Sequence, residues 1–181
     1  GILSHPLAAT AMGRNGPRYS TGASGFIGHH CIEPLLARGY EVHAVSTKEA
    51  KQDKRVKWHQ ADLLQPGAAK ALLAEVKPTH LLHLAWFVVP GKLITSPENF
   101  SWVRASMELV QEFAGQGGKR LTVCGSGYEY DWNYGYCSEK LTPAVPNTVY
   151  GACKQALNLL VHSFAGQSSL SAAWGRVFFL Y

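Results

Sequence analysis

The chain has 181 residues, 46% of them apolar and 16% charged, which suits one globular domain with a sizeable core and excludes a disordered composition. The net charge of +5 suits an anionic ligand, but the Lys and Arg are scattered and no zinc spacing or RNA-binding aromatic motif is present, so no nucleic-acid partner is expected. No apolar run has membrane-spanning length, and Cys31, Cys124, Cys137 and Cys153 show neither a CxxC pair nor a metal spacing, so a cytoplasmic protein with reduced thiols and no metal is expected.

In chain order, "GILSHPLAATAMG" lacks the basic start and continuous apolar centre of a signal peptide, and residues 1–18 read as an atypical N-terminal extension. A strand should come next, yet "GPRYS" (16–20) offers Tyr19 as its one large apolar residue. Pro17 cannot donate to a central ladder, so a defective first strand is expected. Phe26, Ile27, Cys31, Leu35 and Leu36 mark one face of a helix that ends at Arg38-Gly39.

Strands are expected at 40–45 and 55–61, separated by the charged run 48–57, which reads as a solvated connection or a phosphate contact. A helix at 66–78 starts and stops near prolines, and the nearly continuous apolar run 79–87 reads as a buried strand. An amphipathic helix at 99–116, a strand at 120–125, a polar-aromatic loop, a helix at 148–165 and a strand at 171–181 complete the chain. Such alternation predicts an α/β class fold, a doubly wound parallel sheet with helices on both faces.

Gly22-Ala23-Ser24-Gly25-Phe26-Ile27-Gly28 opens the first helix. In that pattern Gly22 permits a tight turn, Gly25 lets a diphosphate approach the backbone, and Gly28 lets the helix pack close to the sheet. The helix N-terminus adds free N–H groups and partial positive charge, so the candidate cofactor-binding residues begin with Gly22, Ser24, Gly25, Phe26, Ile27 and Gly28. Further along, "TVYGACKQAL" sets Tyr150 and Lys154 four residues apart on one helical face. An ammonium beside a phenol stabilises phenolate, which can then take an alcohol proton as hydride leaves for a nicotinamide.

"TGASGFIG", preceding a Y-x-x-x-K helix, resembles the fingerprint of the extended short-chain dehydrogenase/reductase superfamily, and residues 20–181 resemble its NAD(P)-dependent epimerase/dehydratase family. The fold this implies is Rossmann-like, over residues 19–181. The activity it implies is epimerisation or keto-reduction of a nucleotide-linked sugar. The resemblance makes Ser126 the third catalytic member beside Tyr150 and Lys154, although a strand-end Ser also caps turns. It makes Asp62 and Leu63 adenine contacts, although Asp62 alone reads as a cap. Leu84 and Ala85 in "HLAW" would line the cofactor, with Trp86 replacing a small residue, and His83 reads as a structural histidine inside the sheet edge.

Certain positions depart from the family pattern. Ser46, followed by Thr47 and Lys48, stands where a ribose-binding acid would end the second strand, which favours NADP over NAD, with Ser46 and Lys48 as phosphate contacts. Gly127 and Tyr128 follow Ser126 where dehydratases carry acids, and Glu129 comes one place late, which weakens the 4,6-dehydratase alternative. The aromatic run 127–137 reads as loop packing or as stacking on a substrate. The family's C-terminal substrate domain is expected to be absent, so a non-catalytic NAD(P)-binding protein or inactive fragment stays open. A homodimer through helices 99–116 and 148–165 is the further expectation the resemblance carries.

Overall fold

The computed structural model describes residues 17–48 and 53–180; most of the expected N-terminal extension, and part of the charged run after the second strand, lie outside them. Its elements are β1 (Arg18–Thr21), α1 (Phe26–Ala37), β2 (Val42–Ser46), β3 (Val56–Gln60), α2 (Ala68–Val76) and β4 (His80–His83). They continue with α3 (Glu98–Gly115), β5 (Arg120–Ser126), two short 3-10 turns, α4 (Val149–Gly166) and β6 (Ser171–Val177). All strand pairs are parallel, in the order β3-β2-β1-β4-β5-β6. This is a doubly wound, Rossmann-like sheet whose strand order reverses between β1 and β4.

Side chains alternate across each strand, and the two faces bury separate cores. Val42 and Ala44 of β2 join Ile32 of α1, whereas Val45 joins a larger core with Leu73 of α2, Val110 and Phe113 of α3, and Leu157 of α4. Helices therefore cover both faces.

The first strand corrects the expectation of a defect. β1 pairs with β2 and β4 along its whole length, and all four of its residues are buried. Pro17 lies just outside the ladder and contributes only its carbonyl, which accepts from the Thr79 N–H at 3.2 Å. Arg18 and Thr21 have their polar groups satisfied by neighbours, whereas the Tyr19 hydroxyl and Ser20 Oγ have no hydrogen-bond partner among the described residues. Arg18 donates to Thr79 Oγ1 at 3.2 Å and lies 4.2 Å over the Tyr40 ring. Thr21 Oγ1 meets His83 Nδ1 at 2.7 Å.

His83 is likewise in mid-sheet, not at an edge, because β4 lies between β1 and β5. β4 stops at His83, short of residue 87: the Leu84 N–H still reaches the Thr21 carbonyl at 3.2 Å, but the Ala85 N–H turns to Thr21 Oγ1 at 3.3 Å. β6 stops at Val177, leaving Phe178 to Leu180 outside the ladder.

Candidate active site

A cavity of about 590 Å³ opens over the carboxyl ends of β1, β4, β5 and β6. Its location at the strand-order reversal is where open α/β sheets bind ligands. Gly22, Gly25, Phe26, Ile27 and Gly28 form one wall, Leu84 follows from β4, and Ser126, Tyr150 and Lys154 form another.

The glycine wall is built by close approach. Gly22 has φ +68°, and a Cβ there would come within 2.8 Å of the Ala85 nitrogen. A Cβ on Gly28 would overlap the Gly22 carbonyl oxygen, so α1 could not sit this close to the β1 turn. Gly25 is different: a Cβ would meet only the Gly22 oxygen, at 3.2 Å, and would otherwise point into open space. The first intrahelical acceptor bond runs from the His29 N–H to the Gly25 oxygen, at 2.9 Å. The N–H groups of Phe26, Ile27 and Gly28 therefore stand outside the helix ladder, and no acidic side chain occupies the first turn. A cradle that a side chain would fill, with free N–H donors behind it, fits a dinucleotide diphosphate.

Opposite this wall, Thr148 caps α4 by accepting from the Gly151 N–H at 3.0 Å, and the Tyr150 N–H donates to the Ile94 oxygen at 3.1 Å. These contacts fix the start of the helix that carries Tyr150 and Lys154. Both side chains are buried. Lys154 Nζ donates to the Cys124 oxygen at 2.9 Å and lies 3.7 Å from the centre of the Trp86 ring. Burial pushes the Lys154 ammonium down to about 8. Burial also raises the Tyr150 phenol above its ordinary value, against a smaller opposing effect of the Ser126 hydroxyl. The net direction is therefore upward, not the depression expected from an adjacent ammonium.

Ser126 ends β5 and takes on two tasks. Its Oγ accepts from the Tyr128 N–H at 3.2 Å, as a turn cap, while the residue lines the cavity beside Tyr150. Glu129 completes the capping box by accepting from the Ser126 N–H at 2.7 Å. That carboxylate is fully buried and also accepts from Asn158, Trp174 and Arg176. Glu129 is not among the residues that line the cavity.

Other expected residues lie around the cavity without lining it. Ser46 Oγ meets Ser24 Oγ at 3.2 Å and accepts from the Lys48 N–H at 3.2 Å, so the end of β2 is tied to the glycine turn. Ser24 lines a separate cleft with His29, His30 and Asp53. Asp62 acts as a turn cap, accepting from the Leu64 N–H at 3.0 Å, and Leu63 is a core residue. Ala85 backs the Gly22 turn. Sequence reasoning gave no site role to Trp86, Val88, Pro90 or Leu93, nor to Phe178 and Phe179, which all reach the cavity. The Trp in "HLAW" was the visible signal for the first of these.

Residues 20–181 match the model of the NAD dependent epimerase/dehydratase family. The chain belongs to that family. Among family relatives it is 25% identical over 164 residues to the dTDP-6-deoxy-L-talose 4-dehydrogenase (NAD(+)) of Aggregatibacter actinomycetemcomitans, covering 88% of this chain and 60% of that protein. It is 24% identical over 151 residues to UDP-glucose 4-epimerase 2 of Oryza sativa subsp. japonica, covering 74% and 37%. It therefore spans only part of the length of each. Among solved structures, MoeE5 in complex with UDP-glucose and NAD shares 29% identity at a TM-score of 0.75, over 92% of this chain and 55% of that one. The UDP-glucose 4-epimerase of Thermus thermophilus, in complex with NAD, shares 24% identity at a TM-score of 0.76, over 88% and 54%. Among the described residues, no helix is long and apolar enough to cross a membrane.

Proposed function

We propose that this epimerase/dehydratase-family chain binds a nicotinamide dinucleotide and carries the proton-transfer residues of a nucleotide-sugar epimerase or keto-reductase. The observation that carries the reading is the meeting of the α1 diphosphate cradle with Ser126, Tyr150 and Lys154 in one cavity. The relatives' nucleotide-sugar chemistry supports the substrate class.

A bound nicotinamide would supply hydride acceptance and return. Phe26, Ile27 and Gly28 would bind the diphosphate through their N–H groups, with Gly25 giving it room. The Ser126 hydroxyl would hold the reacting sugar oxygen, and Tyr150 would take its proton. Lys154 would stabilise the phenolate, offsetting the burial that otherwise disfavours it. Epimerisation or reduction is favoured over 4,6-dehydration because Glu129 is enclosed in its own hydrogen-bond network.

Ser46 and Lys48, with no carboxylate at 46–48, support NADP over NAD. Exposed Phe100 on α3 and Leu159 and Leu160 on α4 support a homodimer through these helices. Native mass spectrometry of the purified protein, followed by turnover assays with UDP- and dTDP-hexoses, tests the reading. Turnover that Tyr150→Phe abolishes while the cofactor still binds is expected. A bound dinucleotide without turnover would favour the non-catalytic reading, and no dinucleotide binding would overturn both.

A further inference from the structure

We propose that Trp86, clamped by Asn99, is a positioning residue for Lys154 and Tyr150, a role that rests on the proton-transfer reading of that pair. The residue follows β4 in "HLAW", where a small side chain was expected, and the large ring is nevertheless buried. Its Nε1 donates to Asn99 Oδ1 at 2.8 Å. Asn99 is itself fully buried, and its Nδ2 donates to the Leu93 and Ser96 oxygens at 2.8 and 2.9 Å. Three hydrogen bonds thus hold the carboxamide and the indole in one orientation.

That orientation turns a ring face toward Lys154 Nζ, 3.7 Å from its centre. The same indole meets the Tyr150 ring at 6.5 Å and 65°, and Tyr128 meets the Tyr150 ring at 5.7 Å and 69°. Trp86 touches both members of the pair, so it sets their separation as well as the direction of the ammonium. The ring's negative face also replaces part of the lost hydration of a cation whose one hydrogen bond among the described residues runs to the Cys124 oxygen.

The other titratable groups around Lys154 are few. His83 on β4 is buried and held neutral, and Cys124 on β5 has a thiol raised by burial. Glu129 in the turn after β5 is paired with Arg176, and Tyr150 lies on the same helix as Lys154. Against that background the indole is the large polarisable group facing the ammonium.

The test is a pH titration of protein labelled with 13C at lysine Cε, followed by NMR, with the Lys154 signal assigned by its loss in Lys154→Arg. Trp86→Leu should lower the Lys154 midpoint by about one unit, the size of a desolvated cation–π contact. Trp86→Phe, which keeps a ring face, should recover at least half of that shift. Asn99→Leu, which releases the indole, should move the midpoint in the same direction as Trp86→Leu. A midpoint that stays or rises in Trp86→Leu, or that falls equally in Trp86→Phe, would show that the ring only fills space. If Trp86→Leu does not fold, Asn99→Leu decides, and an unmoved midpoint there overturns the role. The readout needs neither cofactor nor turnover, so a failed turnover assay on the parent protein is told apart from a failure here.

Discussion

Glu129 Oε2 and Arg176 Nε meet at 2.8 Å around a carboxylate that has no exposure to solvent. The pair ties β6 to the turn that follows β5, and Glu129 also holds the Ser126 N–H at 2.7 Å. Removing the acid would leave a guanidinium, an indole N–H and a backbone N–H without their acceptor. Glu129→Ala should therefore destabilise the fold by about 3–5 kcal/mol, the range for breaking one side of a buried ion pair. Arg176→Met should cost less, because Ser126, Trp174 and Asn158 would still donate to the carboxylate. Urea melts of the two variants check the order.

His83 predicts a pH dependence of stability. Its ring bonds Thr21 Oγ1 and Ser106 Oγ at 2.7 and 2.8 Å, and burial, followed by the Lys154 charge, pushes its pKa from 6.5 to about 3. The folded pKa lies below the unfolded one, so the unfolded chain binds the extra proton. Stability is full above pH 6.5 and is lost as pH falls toward 3. Linkage gives a loss of about 2 kcal/mol by pH 5. Lys154 acts earlier, between 10.5 and about 8, and contributes no slope below that window. Denaturant midpoints at pH 7 and pH 5 should differ in the parent, and His83→Gln should flatten the difference. An equal slope in the variant would assign the loss to other groups.

β1 separates useful from wasteful polar groups. Ser20 is buried and its Oγ has no hydrogen-bond partner among the described residues, whereas Thr21 Oγ1 serves His83 and the N–H groups after β4. Ser20→Ala should stabilise by about 1 kcal/mol, the low end of the cost of an unsatisfied buried polar group. Thr21→Val should destabilise by about 1–3 kcal/mol, since it strands the partners of that hydroxyl. A Thr21→Val melt that does not fall would mean that the hydrogen bonds of Thr21 contribute little, and a Ser20→Ala melt that falls would mean that the Ser20 hydroxyl is not wasted.

The helices were legible because their periodic apolar faces and end signals survive at the level of single residues. α3 and α4 fall within one residue of the spacing that predicts them. β1 forms against its own propensity, because propensity sees only the strand's own side chains. Arg18 is satisfied by Thr79 and Tyr40, and Thr21 by His83, all distant in sequence. The glycine wall and the Tyr-Lys spacing were legible for the same local reason as the helices. The upward shift of Tyr150 was not, because it depends on how much surface other elements cover.

Gly28 and Gly25 of the cradle should separate stability from ligand binding. Gly28 faces the Gly22 carbonyl, so even Gly28→Ala must push α1 away from the β1 turn. It should lower the melting temperature and weaken cofactor binding together. Gly25 has an ordinary φ of −79°, and its added Cβ would meet only the Gly22 oxygen, at a tight 3.2 Å, so Gly25→Val should lower the melting temperature less than Gly28→Ala does. Its branched side chain would instead occupy the space before the free N–H groups of Phe26, Ile27 and Gly28, where a diphosphate must approach. Dinucleotide affinity should fall at least tenfold, about 1.4 kcal/mol. Differential scanning fluorimetry and a fluorescence titration with NAD and NADP check both variants. Unchanged affinity in Gly25→Val would reduce the loop to a structural turn, and a melting temperature that drops as far as that of Gly28→Ala would show that the space beside Gly25 is needed by the fold.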